Sequence, residues 1–362
     1  MKKLLIPVIC LSLIFTACGK NKTEEPAASS APQQVEETPE FEEPEEEPVE
    51  IVEEIDPYEG LAQSPFTGEY IDESVANLRP FAITINNNHK ALPQSGIAQA
   101  EIIYEVPAEG EITRMVGIFQ NFDAEKIGPV RSCRDYFTYF ALDNGAIYVH
   151  HGGSPTGYAS LTNRGIENID GMKDKAFWRD QKRLNTAGMY EHSSYTDAEG
   201  IKASAESKGY GSEMKVEPMF SFYEEETKPG GERAPLVTIP YSYYQISQFV
   251  FDIETGLYER YQTDKPQIDD QTGEVVTAKN VIIQEAEIYI IPGDDAGRRE
   301  VSLVGSGKGY LATMGEAIPI TWQKTAYNAP TQWFDADGNE LKLNAGKTWI
   351  CVCPIGEDYT FE

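Results

Sequence analysis

From about Lys215 onward the apolar residues of this chain recur at every second position, and that period commits the C-terminal stretch to strands. The segments PLVTIPYS, QISQFVFDI, GLYERYQT, KNVIIQE, AEIYIIP, KGYLAT, AIPITW, QWFDADGNELKL and GKTWICVC have strand lengths, and turn residues at ETG, DDQTGE, DDAGR, DADGN and NAGK separate them. No helical pattern intervenes, so a mainly-β domain of sandwich or barrel-like type is predicted over 234–362. Upstream the period is mixed. RPFAITINN, AEIIYEVP, ITRMVGIFQ and GAIYVHH read as strands, whereas RDYFTYFALDN, PTGYASLTNRG and TDAEGIKASAESKG read as helices. Thr196 and Glu199 have capping-box spacing for the last of these, with Gly209 as its stop. The prediction is an α+β protein. A mixed α/β ligand-binding domain over 61–227 meets the mainly-β domain at a joint, KPGGER, residues 228–233.

The first sixty residues belong to neither core. Lys2 and Lys3 precede an apolar run, Leu4 to Phe15, shorter than the ~20 residues of a membrane span. It ends in Thr16-Ala17-Cys18-Gly19, which resembles a bacterial lipoprotein signal, so a signal peptide over residues 1–17 and lipidation of Cys18 are expected, the alternative being an ordinary secretory signal with a chance cysteine. Residues 18–60 hold fifteen acids and two lysines among Pro, Ala, Ser and Gln, and supply −13 of the formal −29 charge. Such a segment buries too little apolar surface to offset its ordering entropy, so a disordered acidic tether is expected. No other apolar run approaches a membrane span, and the expected location is extracytoplasmic, lipid-anchored to the bacterial cell membrane. The acidic remainder disfavours nucleic acid as a partner. Any anionic ligand must be captured locally, against the overall field.

IGPVRSCRDYF, residues 127–137, is the stretch most suggestive of such capture. Ser132 and Asp135 have capping-box spacing, which predicts a helix starting at Cys133 with Arg131 and Arg134 beside its free amides. At that position the Cys133 thiol would be pushed toward thiolate, although a passive small side chain is the simpler reading. In YVHHGGSPTGY, Gly152 and Gly153 permit an unusual backbone, Ser154 can cap a helix, and Pro155 suits its first position. His150 and His192 are candidate polar selectors. Glu105, Glu109 and Arg114 in YEVPAEGEITR are either ion-paired structure or, for the two acids, the carboxylates of a glycan or phosphoester hydrolase working with a histidine. Cys351 and Cys353, two apart in a strand, share one face, and with Cys133 they leave an odd number that argues against a disulfide framework. No ligand spacing announces a metal, and no cofactor is expected.

RPFAITINNNHKALPQSGIAQAEIIYEVPAEGEITRMVGIF, IGPVRSCRDYF and HHGGSP together resemble the YerB-type lipoproteins, a family of unknown function. NVIIQ, Gly305–Gly309 and GKTWICVCP resemble its second domain. The resemblance covers nearly everything after the tether and implies a two-domain surface lipoprotein, with no activity attached. The chain departs from the family pattern at Asn86, Leu92 and Cys133, where that pattern has an acid, an arginine and a small apolar residue. The leading expectation is binding of an anionic cell-envelope ligand by Arg114, Arg131, Arg134, His150, Gly152, Gly153, Ser154 and His192, with Glu105 and Glu109 nearby. The alternatives are the envelope hydrolase and a structural lipoprotein that binds an envelope protein.

Overall fold

The structure, a computed structural model, describes residues 57–362. The signal peptide, Cys18 and the tether up to residue 56 lie outside the described residues. Among the described residues no helix is long and apolar enough to cross a membrane.

An eleven-stranded mixed sheet organises the molecule. Its strands lie side by side in the order Asn168–Asp170, Ile147–His150, Phe81–Asn86, Thr113–Phe119, Ile102–Pro107, Thr348–Pro354, Asn280–Ala286, Gly305–Thr313, Glu316–Lys324 and Glu232–Arg233, with Gln332–Phe334 added beside Glu316–Lys324. The first five strands come from the mixed half and the rest from the β-rich half. They join where Thr348–Pro354 pairs in parallel with Ile102–Pro107, in the register Thr348↔Ile102 to Cys351↔Glu105. The run TWICVCP is apolar at successive positions because both faces of that strand are covered. Trp349, Cys351 and Cys353 point into one core, and Ile350 and Val352 into the other.

The first core lies against the helix Ala198–Ser207 and a second, six-stranded sheet. That sheet is built on Leu236–Ser242, Gln245–Asp252 and Leu257–Gln262. Val237, Ile239, Phe249 and Tyr258 alternate inward from it, and the Phe249 ring meets Trp349 edge-on at 5.5 Å. The second core is closed by the helices Phe137–Asp143 and Pro155–Asn163 and by Trp322 and Trp333. The molecule is thus α+β, with strands dominating its C-terminal region. Most of these strands belong to the two face-to-face sheets, while Ile288–Ile290 pairs with Arg299–Val301, and Ser221–Phe222 with Lys342–Leu343, in small sheets of their own.

Beneath the six-stranded sheet lies a polar seam. Glu105 is fully buried and accepts from Arg260 (3.0 Å), Trp349 Nε1 (3.1 Å), Ser247 Oγ (2.7 Å), Thr113 Oγ1 (2.7 Å) and Asn87 Nδ2 (3.0 Å). Arg260, equally buried, stacks over Phe249 and Trp349.

Local signals were met unevenly. Ser154 caps the helix Pro155–Asn163 by accepting from Gly157 N at 3.0 Å, with Pro155 in the first turn. The helix expected from Cys133 instead begins at Phe137. Ser132 Oγ donates to the His151 carbonyl (3.1 Å), and Cys133 forms a parallel bridge with Gly153. The last helix is capped by Asp197 rather than Thr196, whose hydroxyl donates to the Ala176 carbonyl.

Candidate functional site

The parallel strands Phe81–Asn86, Ile147–His150 and Asn168–Asp170 end on the same side of the sheet. The crevice beyond the carboxyl ends of such strands is where α/β sheets hold ligands. Here the chain leaving His150 turns at Gly152, which has a φ of 73° that L side chains resist. Both polar groups of Gly152 are held: its N–H donates to Asp170 Oδ1 (2.9 Å), and its carbonyl accepts from Cys133 N (2.9 Å) and His150 Nδ1 (2.7 Å). The segment 130–133 is laced in beside it, with Arg131 N donating to the Thr84 carbonyl and His151 N to the Arg131 carbonyl.

These elements border a cleft of about 590 Å³. Arg131, Arg134, Arg179, His151, the Gly152–Gly153 turn, Ser194 and Glu191 line it, together with Tyr158, Met172 and Tyr190. Arg131 donates through Nη1 to the Glu191 carbonyl (2.9 Å) and through Nη2 to its carboxylate (3.1 Å), and Glu191 is a surface residue whose side chain is 69% exposed. Arg179 lies over the Tyr190 ring at 4.2 Å and donates to the Tyr190 carbonyl, Ser193 Oγ and His151 Nε2. A guanidinium only donates, so His151 Nε2 accepts and the ring proton sits on Nδ1, donating to Ser194 Oγ at 2.7 Å. Burial, followed by the charge of Arg179, holds His151 below its ordinary pKa, in the neutral form this bonding requires. Ser194 Oγ, already accepting, keeps its own proton to donate. Gly153 N–H has no acceptor among the described residues.

The residues singled out from the sequence divide sharply. Arg131, Arg134, Gly152 and Gly153 reach the cleft, but Arg134 forks both oxygens of Glu109. Arg114, buried and pushed down to about 10 chiefly by that burial, pairs with the same Glu109 at 2.9 Å. Burial alone would raise Glu109, but the Arg134 hydrogen bonds and the Arg114 charge outweigh it and keep the carboxyl below its usual range. His150 is fully buried behind the glycine turn, and His192 lies inside against Asn86 Nδ2 (2.8 Å). Ser154 is buried as a cap. The two acids considered for hydrolysis are both saturated: Glu105 is sealed in the seam, and Glu109 is shared by two guanidinium groups.

The opposite shift meets Cys133. Burial pushes its thiol up to about 12 despite the neighbouring arginine, which corrects the expectation of a thiolate. Arg179 and Ser194 were not singled out beforehand, and of the adjacent histidines His150 was expected at the site rather than His151. Strand alternation cannot choose between His150 and His151, because the cleft lies past the strand end rather than on a face.

Comparison with known proteins agrees with this architecture. A family profile described as "Protein of unknown function (DUF3048) N-terminal domain" matches residues 66–211, and the profile for the family's C-terminal domain matches residues 237–350. The chain belongs to this family. Among similar proteins, "Putative lipoprotein YerB" of Bacillus subtilis (strain 168) is 35% identical over 298 residues, covering 81% of this chain and 86% of that protein. The crystal structure of YerB from Bacillus subtilis superposes with a TM-score of 0.74 at 32% identity, covering 83% of this chain and 99% of that one. The two family segments therefore correspond to strands of one shared sheet in this DUF3048 member, with Thr348–Pro354 inserted beside Ile102–Pro107.

Proposed function

We propose that this DUF3048 protein is an extracytoplasmic, lipid-anchored receptor for an anionic ligand of the cell envelope, bound in the cleft beside Arg131. The anchor would be the lipidated Cys18, in keeping with the lipoprotein description of YerB. The observation that carries the binding reading is the polarity of the lining. Two guanidinium groups, Arg131 and Arg179, meet a serine hydroxyl and a glycine turn, and the carboxylates beside them are Glu191, the already paired Glu109, and Asp170, whose oxygens accept from Gly152 N, Met172 N and the Tyr158 hydroxyl. On a chain of formal charge −29, a concentration of donors at the carboxyl ends of parallel strands supports local capture of an anion. Arg131 would supply charge and the Gly152–Gly153 turn a close backbone approach. Arg114, Arg134, His150, His192, Glu105 and Glu109 would act from behind, by holding the walls.

The test is retention. Full-length chain immobilised through a C-terminal tag is incubated with envelope extract, and retained compounds are identified by mass spectrometry beside the Arg131→Met variant. An anionic compound held by the parent and lost from the variant is expected. Equal retention by both would sink the assignment.

A further inference from the structure

We infer that the cleft takes a phosphoryl-type oxyanion and that Glu191 is the chain's own competitor for it. The inference rests on the anion-binding reading above and narrows it. Of the three arginines lining the cleft, Arg131 is the guanidinium with the least structural employment: both of its hydrogen bonds go to one residue, Glu191, at 2.9 and 3.1 Å. One of these goes to a carboxylate on a side chain that is 69% exposed and therefore free to leave. An exposed carboxylate resting on a binding arginine has the chemistry of a ligand held in place by the backbone.

The rest of the lining exceeds what a carboxylate needs. A planar carboxylate offers two oxygens, which a single arginine fork satisfies. Here donors arrive from separate elements. Arg131 comes from the loop before the helix Phe137–Asp143, and Arg179 keeps two of its five N–H groups beyond the three it gives to Tyr190, Ser193 and His151. Ser194 retains its hydroxyl proton, and Gly153 its amide. Donors that approach from several directions match the oxygens of a tetrahedral phosphoryl group. Tyr158, Tyr190 and Met172 border the remaining space and fit an organic substituent on that group.

The experiment is calorimetric titration of the full-length chain in detergent with inorganic phosphate and, separately, with acetate. The parent should bind phosphate more tightly than acetate. Glu191→Gln, and Glu191→Ala as a second variant, should bind phosphate about fivefold more tightly than the parent, the upper end of what an exposed ion pair is worth. Unchanged phosphate affinity in both variants would overturn the competitor role while leaving the anion site standing. Acetate bound as tightly as phosphate would overturn the phosphoryl class. Phosphate binding by neither parent nor variants would overturn the anion-binding reading itself.

Discussion

At the seam, Glu105 gathers Arg260, Trp349, Ser247, Thr113 and Asn87 in a fully buried cluster. At the cleft, Arg131 holds Glu191 at the surface. The ingredients are the same, an arginine and a glutamate, yet the first pair is sealed from solvent and the second faces it. Between these extremes stands Glu109, largely enclosed and gripped by Arg114 and Arg134. What distinguishes a staple from a site is therefore the desolvation of the pair rather than its composition. A fully buried charge must keep its partner, whereas an exposed one exchanges its partner with water or a ligand at little cost.

The largest effect should come from breaking the seam. Arg260→Met leaves the Glu105 carboxylate buried with only neutral donors and should cost ~3–5 kcal/mol in urea denaturation. The double variant Glu105→Gln with Arg260→Met should recover much of that loss, because it removes the stranded charge. A loss below ~1 kcal/mol for Arg260→Met would mean that neutral donors suffice and that the contrast with the cleft is false.

The two arginines of the opening motif sharpen the same contrast at smaller scale. Arg134→Met removes a fork from a largely enclosed glutamate that still keeps Arg114, and should cost ~1.5–3 kcal/mol. Arg131→Met should cost less than ~1 kcal/mol, because its partner is exposed. Denaturation curves of the two variants, run beside the parent, check the order. Equal losses would make Arg131 a structural residue and withdraw it from the site.

Much of this was legible in the sequence because period and turn chemistry act locally. The alternation of VTIPYS and QFVFD, the strand FAITIN and the Ser154-Pro155 helix start all stand where their patterns put them. The single sheet that joins the halves was not read, although TWICVC carried the signal. A strand without polar alternation is covered on both faces, so it belongs in the middle of a sheet. The failed helix start at Cys133 has a different cause. Ser132 is tied instead through its hydroxyl, as donor, to the His151 carbonyl, and a tertiary contact of that kind leaves no mark on local spacing. Arg179 and Ser194 were missed for the same reason, since each reaches the cleft from a short strand pair folded back across it.

The smallest effect concerns Cys133, where the same comparison applies to a thiol. Two arginines adjacent in sequence suggested activation, yet the side chain is fully buried, its thiol donates to the Arg134 carbonyl at 3.4 Å, and burial pushes it up to about 12. Its ordinary value is near 9, so the folded state favours the protonated form. The associated stability is present below about pH 9 and is lost as pH climbs from there toward 12. At pH 8 the thiol is therefore both protonated and enclosed. Iodoacetamide should leave Cys133 unmodified in the folded chain over hours and alkylate it after denaturation in urea, as read by peptide mass spectrometry. Rapid alkylation of the folded chain at pH 8 would mean that the glycine turn opens and that the boundary between enclosed and exchangeable groups is misplaced at Cys133. An inert thiol between an exchangeable Arg131 and a stapled Arg134 would place that boundary inside four consecutive residues.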